Sequence, residues 1–256
     1  MRPKPQLLAV LLAGAAITAA CSASPPPPGK PADVKAAAAD PVRAADAAAD
    51  ARRHGPEILS FAGLNEKAVV IDLIPGGGYW TRLFAKAVGP EGHVYGIWPK
   101  PYAMEAKSDV DNYMKLAGSA AFPNVSGSIE PATELSAPAK ADLVFTAQNY
   151  HDYPDKFMGP VDPAILNKAA FDALKPGGIY LIIDHVAASG SGLRDTDTLH
   201  RIDPAIVKQQ VTAAGFTFVG ESKLLANPAD DHSIIVFDKA IRGKTDQFIY
   251  KFKKPG

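Results

Sequence analysis

Apolar residues along this chain fall into short runs separated by turn formers. Residues 67–72, 92–97, 141–146 and 179–184 are near-continuous apolar stretches of strand length. Runs of that kind, rather than alternating ones, belong to strands covered on both faces, as in parallel sheets. Residues 125–130 form a weaker strand. Between these runs, residues 81–88 and 104–116 carry apolar positions at helical spacing. Asp162-Pro163 and Asp203-Pro204 each set a capping carboxylate before a proline at the first helical position. The helices they open close at Lys175-Pro176-Gly177-Gly178 and at Gly215. Residues 57–64 predict a short helix ahead of the first strand. Residues 216–224 and 233–237 predict a closing antiparallel pair. Strand–helix alternation of this type implies an α/β fold with right-handed crossovers and helices on both faces of a mostly parallel sheet.

The N-terminal segment has a different texture. Arg2 and Lys4 precede an apolar stretch, residues 7–20, that ends in small residues before Cys21, the single cysteine. This reads as an export signal, too short to span a bilayer. It resembles a bacterial lipoprotein signal, which implies lipidation of Cys21 and an exported, periplasmic, membrane-anchored protein. One cysteine excludes an intrachain disulfide. Residues 22–40, with Pro25-Pro26-Pro27-Pro28, read as a Pro/Ala-rich linker. The domain proper is expected at 41–256, with Pro41 opening a helix. The 27 basic and 27 acidic residues balance. That argues against a nucleic-acid partner and for a small-molecule substrate, with the lipid anchor as the only membrane contact.

The chemistry starts where the first strand ends, at Asp72-Leu73-Ile74-Pro75-Gly76-Gly77-Gly78-Tyr79-Trp80-Thr81. A carboxylate at the carboxyl end of a strand, a triple-glycine turn and a helix start make a ligand-binding turn. The dinucleotide fingerprint fails at its third small position, which is Thr81. Acid-x-x-x-Gly-x-Gly is closer to the S-adenosylmethionine loop of class I methyltransferases. The order of elements resembles the same Rossmann-like fold, a seven-stranded sheet with an antiparallel last strand. Four runs sharpen the resemblance: Gly76-Gly77-Gly78-Tyr79-Trp80-Thr81-Arg82-Leu83, Asn149-Tyr150-His151-Asp152, Thr198-Leu199-His200-Arg201-Ile202-Asp203 and Arg242-Gly243-Lys244-Thr245-Asp246-Gln247-Phe248. Together they look like a bacterial group of predicted, mostly uncharacterised methyltransferases, many with export signals.

The resemblance implies S-adenosylmethionine as cofactor, held by Asp72, Pro75, Gly76, Gly77 and Gly78, with Asn149 alongside. In this fold the second strand ends in an acid that takes the ribose hydroxyls. Here it ends Gly96-Ile97-Trp98-Pro99, with no carboxylate before Glu105. Two charge-assisted hydrogen bonds, each worth ~1.5–3 kcal/mol, are then unaccounted for. Trp98 is expected to stack on the base instead, and Glu130 to meet the adenine amine. His151 is the candidate base, since free imidazole titrates near neutrality. Tyr150, Asp152, Asp184, His185, His200 and Arg201 are expected to line the substrate pocket. No close metal-ligand spacing occurs, so no metal is expected. Two rivals stand beside the methyltransferase: a binding protein without turnover, and a metal-dependent hydrolase using His151, His185 and His200. Residues 242–248 read as a packed loop before a tail.

Overall fold

The computed structural model describes residues 29–256, so the export signal, Cys21 and the proline run lie outside the described residues. In chain order the elements are α1 (Val34–Ala38), a 3-10 turn (Pro41–Asp46), α2 (Ala47–Arg53), α3 (Gly55–Ala62), β1 (Val69–Leu73), α4 (Tyr79–Val88), β2 (His93–Pro99), α5 (Lys100–Glu105) and α6 (Lys107–Leu116). They continue with β3 (Val125–Glu130), β4 (Ala141–Ala147), a second 3-10 turn (Lys156–Met158), α7 (Pro163–Ala173), β5 (Leu174–His185), α8 (Thr196–Leu199), α9 (Pro204–Ala213), β6 (Thr217–Ser222) and β7 (Gln247–Lys253).

All seven strands join one sheet in the order β3-β2-β1-β4-β5-β7-β6. The first five are mutually parallel, and β7 runs antiparallel to both β5 and β6. This is a Rossmann-like seven-stranded mixed sheet. The central strands are apolar throughout because helices cover both faces: Val70, Ile71, Leu73, Val144, Phe145, Leu181 and Ile182 are all buried. Strand order reverses between β1 and β4, so a crevice opens beyond their carboxyl ends. Asp162 and Asp203 cap α7 and α9 by accepting from the backbone N–H of Ala164 and Ala205, as the Asp-Pro pairs predict.

Three expectations change. The last strand is Gln247–Lys253, not residues 233–237, which form a loop. Phe248, Ile249 and Phe252 are buried because β7 inserts between β5 and β6. The stretch 104–116 breaks at Ala106, whose ψ of 34° leaves helical geometry, so α5 and α6 are separate. The folded body also begins earlier than residue 41. Pro31 pairs with Asn65, Ala37 is buried, and Asp46 and Asp50 bind Arg82 and Tyr79 on α4. The second half of the expected linker is therefore packed structure.

Candidate active site at the carboxyl edge of the sheet

The loops after β1, β2, β4 and β5 enclose a cleft of about 540 Å³ at the reversal point. Its lining includes Ile74, Pro75, Gly76, Gly77, Tyr102, Glu105, Asp109, Asn149, His151, Asp152, His185 and His200. A larger hollow of about 880 Å³ lies between residues 133–140 and α7, and no residue of the glycine loop borders it. Among the described residues six non-glycine positions have positive φ, and Ile74, Gln148 and His200 of these line the cleft. For the β-branched Ile74, at φ 55°, this is a strained conformation held by the fold around a ligand-facing turn.

The glycine loop divides its work. A Cβ at Gly76 or Gly77 would meet nothing within 4 Å, so these two present bare backbone to the cleft. Gly78 does not line it. With φ +77°, a Cβ there would lie 2.7 Å from Leu116 Cδ2. Gly78 therefore serves the packing of α4 against α6, a correction to its expected cofactor contact. Asp72 is buried beneath the loop and accepts a hydrogen bond from Thr81 Oγ1 at 2.5 Å. Thr81 thus breaks the dinucleotide pattern for a reason: its hydroxyl ties the helix start to the strand end.

Burial pushes the Asp72 carboxyl up from 3.8 to about 7, against the opposing Thr81 hydrogen bond. A folded-state value above the unfolded one favours folding while the group is protonated. That stabilisation is complete below pH ~4 and is lost as pH rises to about 7, on the order of 4 kcal/mol in all. Asp72→Asn keeps an acceptor for Thr81 and carries no charge. Its denaturation midpoint should fall less than that of the unsubstituted protein between pH 4 and 8; parallel slopes would refute the buried-carboxyl account.

Several expected contacts are absent. Trp98 is fully buried beneath the cleft, with Tyr102 and Tyr113 at ring distances of 6.0 and 6.3 Å. It cannot stack on a base, and Tyr102 forms the aromatic wall in its place. Glu130 binds Ser128 Oγ and the N–H of Ser136 in a local turn, outside the cleft. Tyr150 points away, its hydroxyl bonded to Asn167 and Gln210. Arg201 is buried in a two-point ion pair with Asp230 and is structural. Asp184 is buried behind the cleft and acts on it through His151.

His151 is held on both sides. Its Nδ1 lies 2.8 Å from Asp184 Oδ1, and its backbone N–H donates to Asp184 Oδ2 at 2.9 Å. Its Nε2 faces Asp152 Oδ1 and His200 Nδ1, each at 3.3 Å. Burial works against charge on the ring, but Asp184 and Asp152 outweigh it and hold the pKa at about 9. Both ring nitrogens of His151 thus carry protons at neutral pH, so it is not the free base the sequence suggested. His185 differs: burial lowers it to about 4, so it is neutral. Gln148 donates to Gln247 Oε1, Gln247 donates to Thr245 Oγ1, and Thr245 Oγ1 lies 2.8 Å from His185 Nδ1. Thr245 thereby ties His185 into a relay that runs to Gln148 at the carboxyl end of β4.

Thr245 and Gln247 went unrecognised because residues 242–248 read as a packed loop. Glu105 and Asp109 were missed as cleft residues because their helix was read only for its apolar spacing. Both carboxylates border the cleft beside the second strand and neither makes an ion pair among the described residues. Arg52, Arg53 and Arg242 border an adjoining hollow of about 290 Å³ that shares Trp80, Gln148 and His185 with the cleft.

The strand order and the crevice define the class I methyltransferase fold, and solved structures agree. A S-adenosylmethionine-dependent methyltransferase from Aquifex aeolicus superposes with TM-score 0.59 at 18% identity, covering 86% of this chain and 98% of its own. The [4+2]-cyclase SpnF gives 0.60 at 17%, covering 80% and 81%. The glycopeptide N-methyltransferase MtfA, complexed with sinefungin, gives 0.53 at 13%, covering 80% and 87%. At such identities the likeness establishes the fold alone, and a cyclase among the neighbours shows that the fold admits more than one reaction. No family model and no curated protein matches the sequence.

Proposed function

We propose that the protein is an S-adenosylmethionine-dependent methyltransferase acting on a small molecule or envelope component. The observation that carries this reading is the open cradle of Gly76 and Gly77 on a cleft at the reversal point of a methyltransferase-type sheet. The residues present fit the cofactor. Bare backbone at the loop accepts its close approach. Glu105 and Asp109 offer carboxylate oxygens for ribose hydroxyls on the side where the second strand lacks an acid. Tyr102 and Ile74 give an apolar wall for a base.

When bound, the cofactor supplies an electrophilic methyl group. Transfer then depends mainly on in-line positioning of the acceptor, which the fixed groups at the far end of the cleft can provide. His185 lines the cleft as a neutral imidazole held by Thr245, and Asn149 is anchored by Tyr102 and Asp152. His151 contributes position and charge at the acceptor end. Titration calorimetry with S-adenosylmethionine and S-adenosylhomocysteine tests the reading directly. One saturable site is expected for each, and no heat with either would sink it.

The same proposal covers the exported group suggested by the four sequence runs, with Cys21 as the lipid-bearing residue of a periplasmic protein. A lipid chain contributes about 0.8 kcal/mol per buried methylene, so several chains anchor firmly. Cys21→Ser should move the protein from the membrane to the soluble fraction or leave it unprocessed. Unchanged membrane fractionation would exclude lipidation at this residue.

A further inference from the structure

His151, Asp152 and His200 come together from the loops after β4 and β5 with ligand atoms within 4.8 Å of one another. His151 Nε2 lies 3.3 Å from Asp152 Oδ1 and 3.3 Å from His200 Nδ1, and the last two atoms are 3.8 Å apart. Tetrahedral coordination at bond lengths of about 2.0–2.2 Å sets neighbouring ligand atoms ~3.3–3.6 Å apart. The cluster nearly has these edges already.

The groups behind the cluster are those that orient metal ligands. Asp184 accepts a hydrogen bond from Nδ1–H of His151, the tautomer that turns the Nε2 lone pair toward the cluster. Asn149 Nδ2 donates to Asp152 Oδ2 at 3.0 Å and leaves Oδ1 for the cluster. His200 is held at φ 52°, with its ring 4.8 Å from that of Phe237. Charge points the same way. Asp152, Asp155 and Asp184 are 4%, 2% and 0% exposed, and Asp155 makes no ion pair among the described residues. Three buried carboxyl groups gathered around the cluster favour a cation there.

We propose that His151 Nε2, Asp152 Oδ1 and His200 Nδ1 bind a divalent transition-metal ion, zinc by preference, whose remaining coordination position opens into the cleft. Imidazole and carboxylate donors suit such an ion, and three protein ligands with one open position mark a site that engages substrate. The ion takes the place of the Nε2 proton on His151. An oxygen or sulfur atom of the substrate would fill the open position, which directs the acceptor atom toward the glycine loop. The assignment differs from the histidine set expected for a hydrolase. His185 stands outside it, with its Nδ1 engaged by Thr245, and Asp152 completes the set.

The test uses the purified full chain and needs no substrate. After dialysis against zinc and then against buffer, elemental analysis should find about one zinc per chain. Cobalt in its place should give the intense visible bands of a four-coordinate site. His200→Ala and Asp152→Ala should each weaken zinc binding by at least ~100-fold, and Asp184→Asn by ~10–100-fold through its hold on His151. His93→Ala, remote from the cluster, should change nothing. Circular dichroism confirms that each variant is folded; the partly exposed His200 makes its variant the safest. Gly77→Val should keep its zinc while losing the cofactor, which separates this proposal from the methyltransferase reading. No zinc on the folded protein, full retention by both His200→Ala and Asp152→Ala, or zinc loss in Gly77→Val would overturn the assignment.

Discussion

Gly77→Val is expected to leave the protein folded and to lower its affinity for S-adenosylmethionine by at least ~100-fold, or about 2.7 kcal/mol. Gly77 is exposed at the lip of the cleft and is not among the glycines at positive φ. A side chain there meets no neighbour within 4 Å, so the fold should absorb it. On the proposed reading the same empty space is where the cofactor approaches the backbone, and an isopropyl group would occupy it. Gly78→Val provides the contrast. Its positive φ and the Leu116 methyl at 2.7 Å make that substitution a strained overpacking, which should cost stability before it affects binding. Calorimetric titration and thermal unfolding of both variants separate the two effects. A folded Gly77→Val protein with unchanged affinity would remove the loop from the cofactor site.

The sheet was legible because its central strands are covered on both faces and announce themselves as continuous apolar runs. β7 was not. Its aromatic residues follow a polar loop, and its position between β5 and β6 is settled by long-range pairing that leaves no local signal. At the site, the glycine loop was legible because Gly76 and Gly78 take the positive φ that favours glycine. The direction of each side chain was not. Trp98 and Arg201 occupy the expected edge of the sheet, yet both turn inward, since edge position places a Cα and neighbouring layers decide where the side chain goes. Glu105 was visible as the next carboxylate after the second strand. What the sequence did not show is that α5 and α6 fold over the carboxyl edge, where Glu105 and Asp109 border the cleft. On the proposed reading these two offer the carboxylates that the end of the second strand lacks. The run at 242–248 was distinctive in sequence, but its Thr245 and Gln247 matter only because β7 carries them beside His185 and Gln148.

Arg201→Met should be the most destabilising single change near the site, by ~3–5 kcal/mol, while leaving the cleft lining intact. Arg201 is fully buried and Asp230 nearly so, and the guanidinium meets both carboxylate oxygens at 3.0 Å. Its Nε also donates to the carbonyl of Ile234 and its Nη1 to that of Val186, each at 3.0 Å. One side chain thus ties the end of β5 to the loop that leads into β7. Methionine fills much of the volume but leaves the Asp230 charge in the interior and two carbonyls without donors. Asp230 keeps the N–H groups of Asp246 and His232, which soften the loss without balancing the charge. Adding Asp230→Asn to Arg201→Met should therefore recover part of the stability, because no unpaired charge then remains buried. Chemical denaturation of the two single variants and the double variant measures this coupling. A loss below ~1 kcal/mol in Arg201→Met, together with selective loss of ligand binding, would return Arg201 to the substrate pocket where the sequence had placed it.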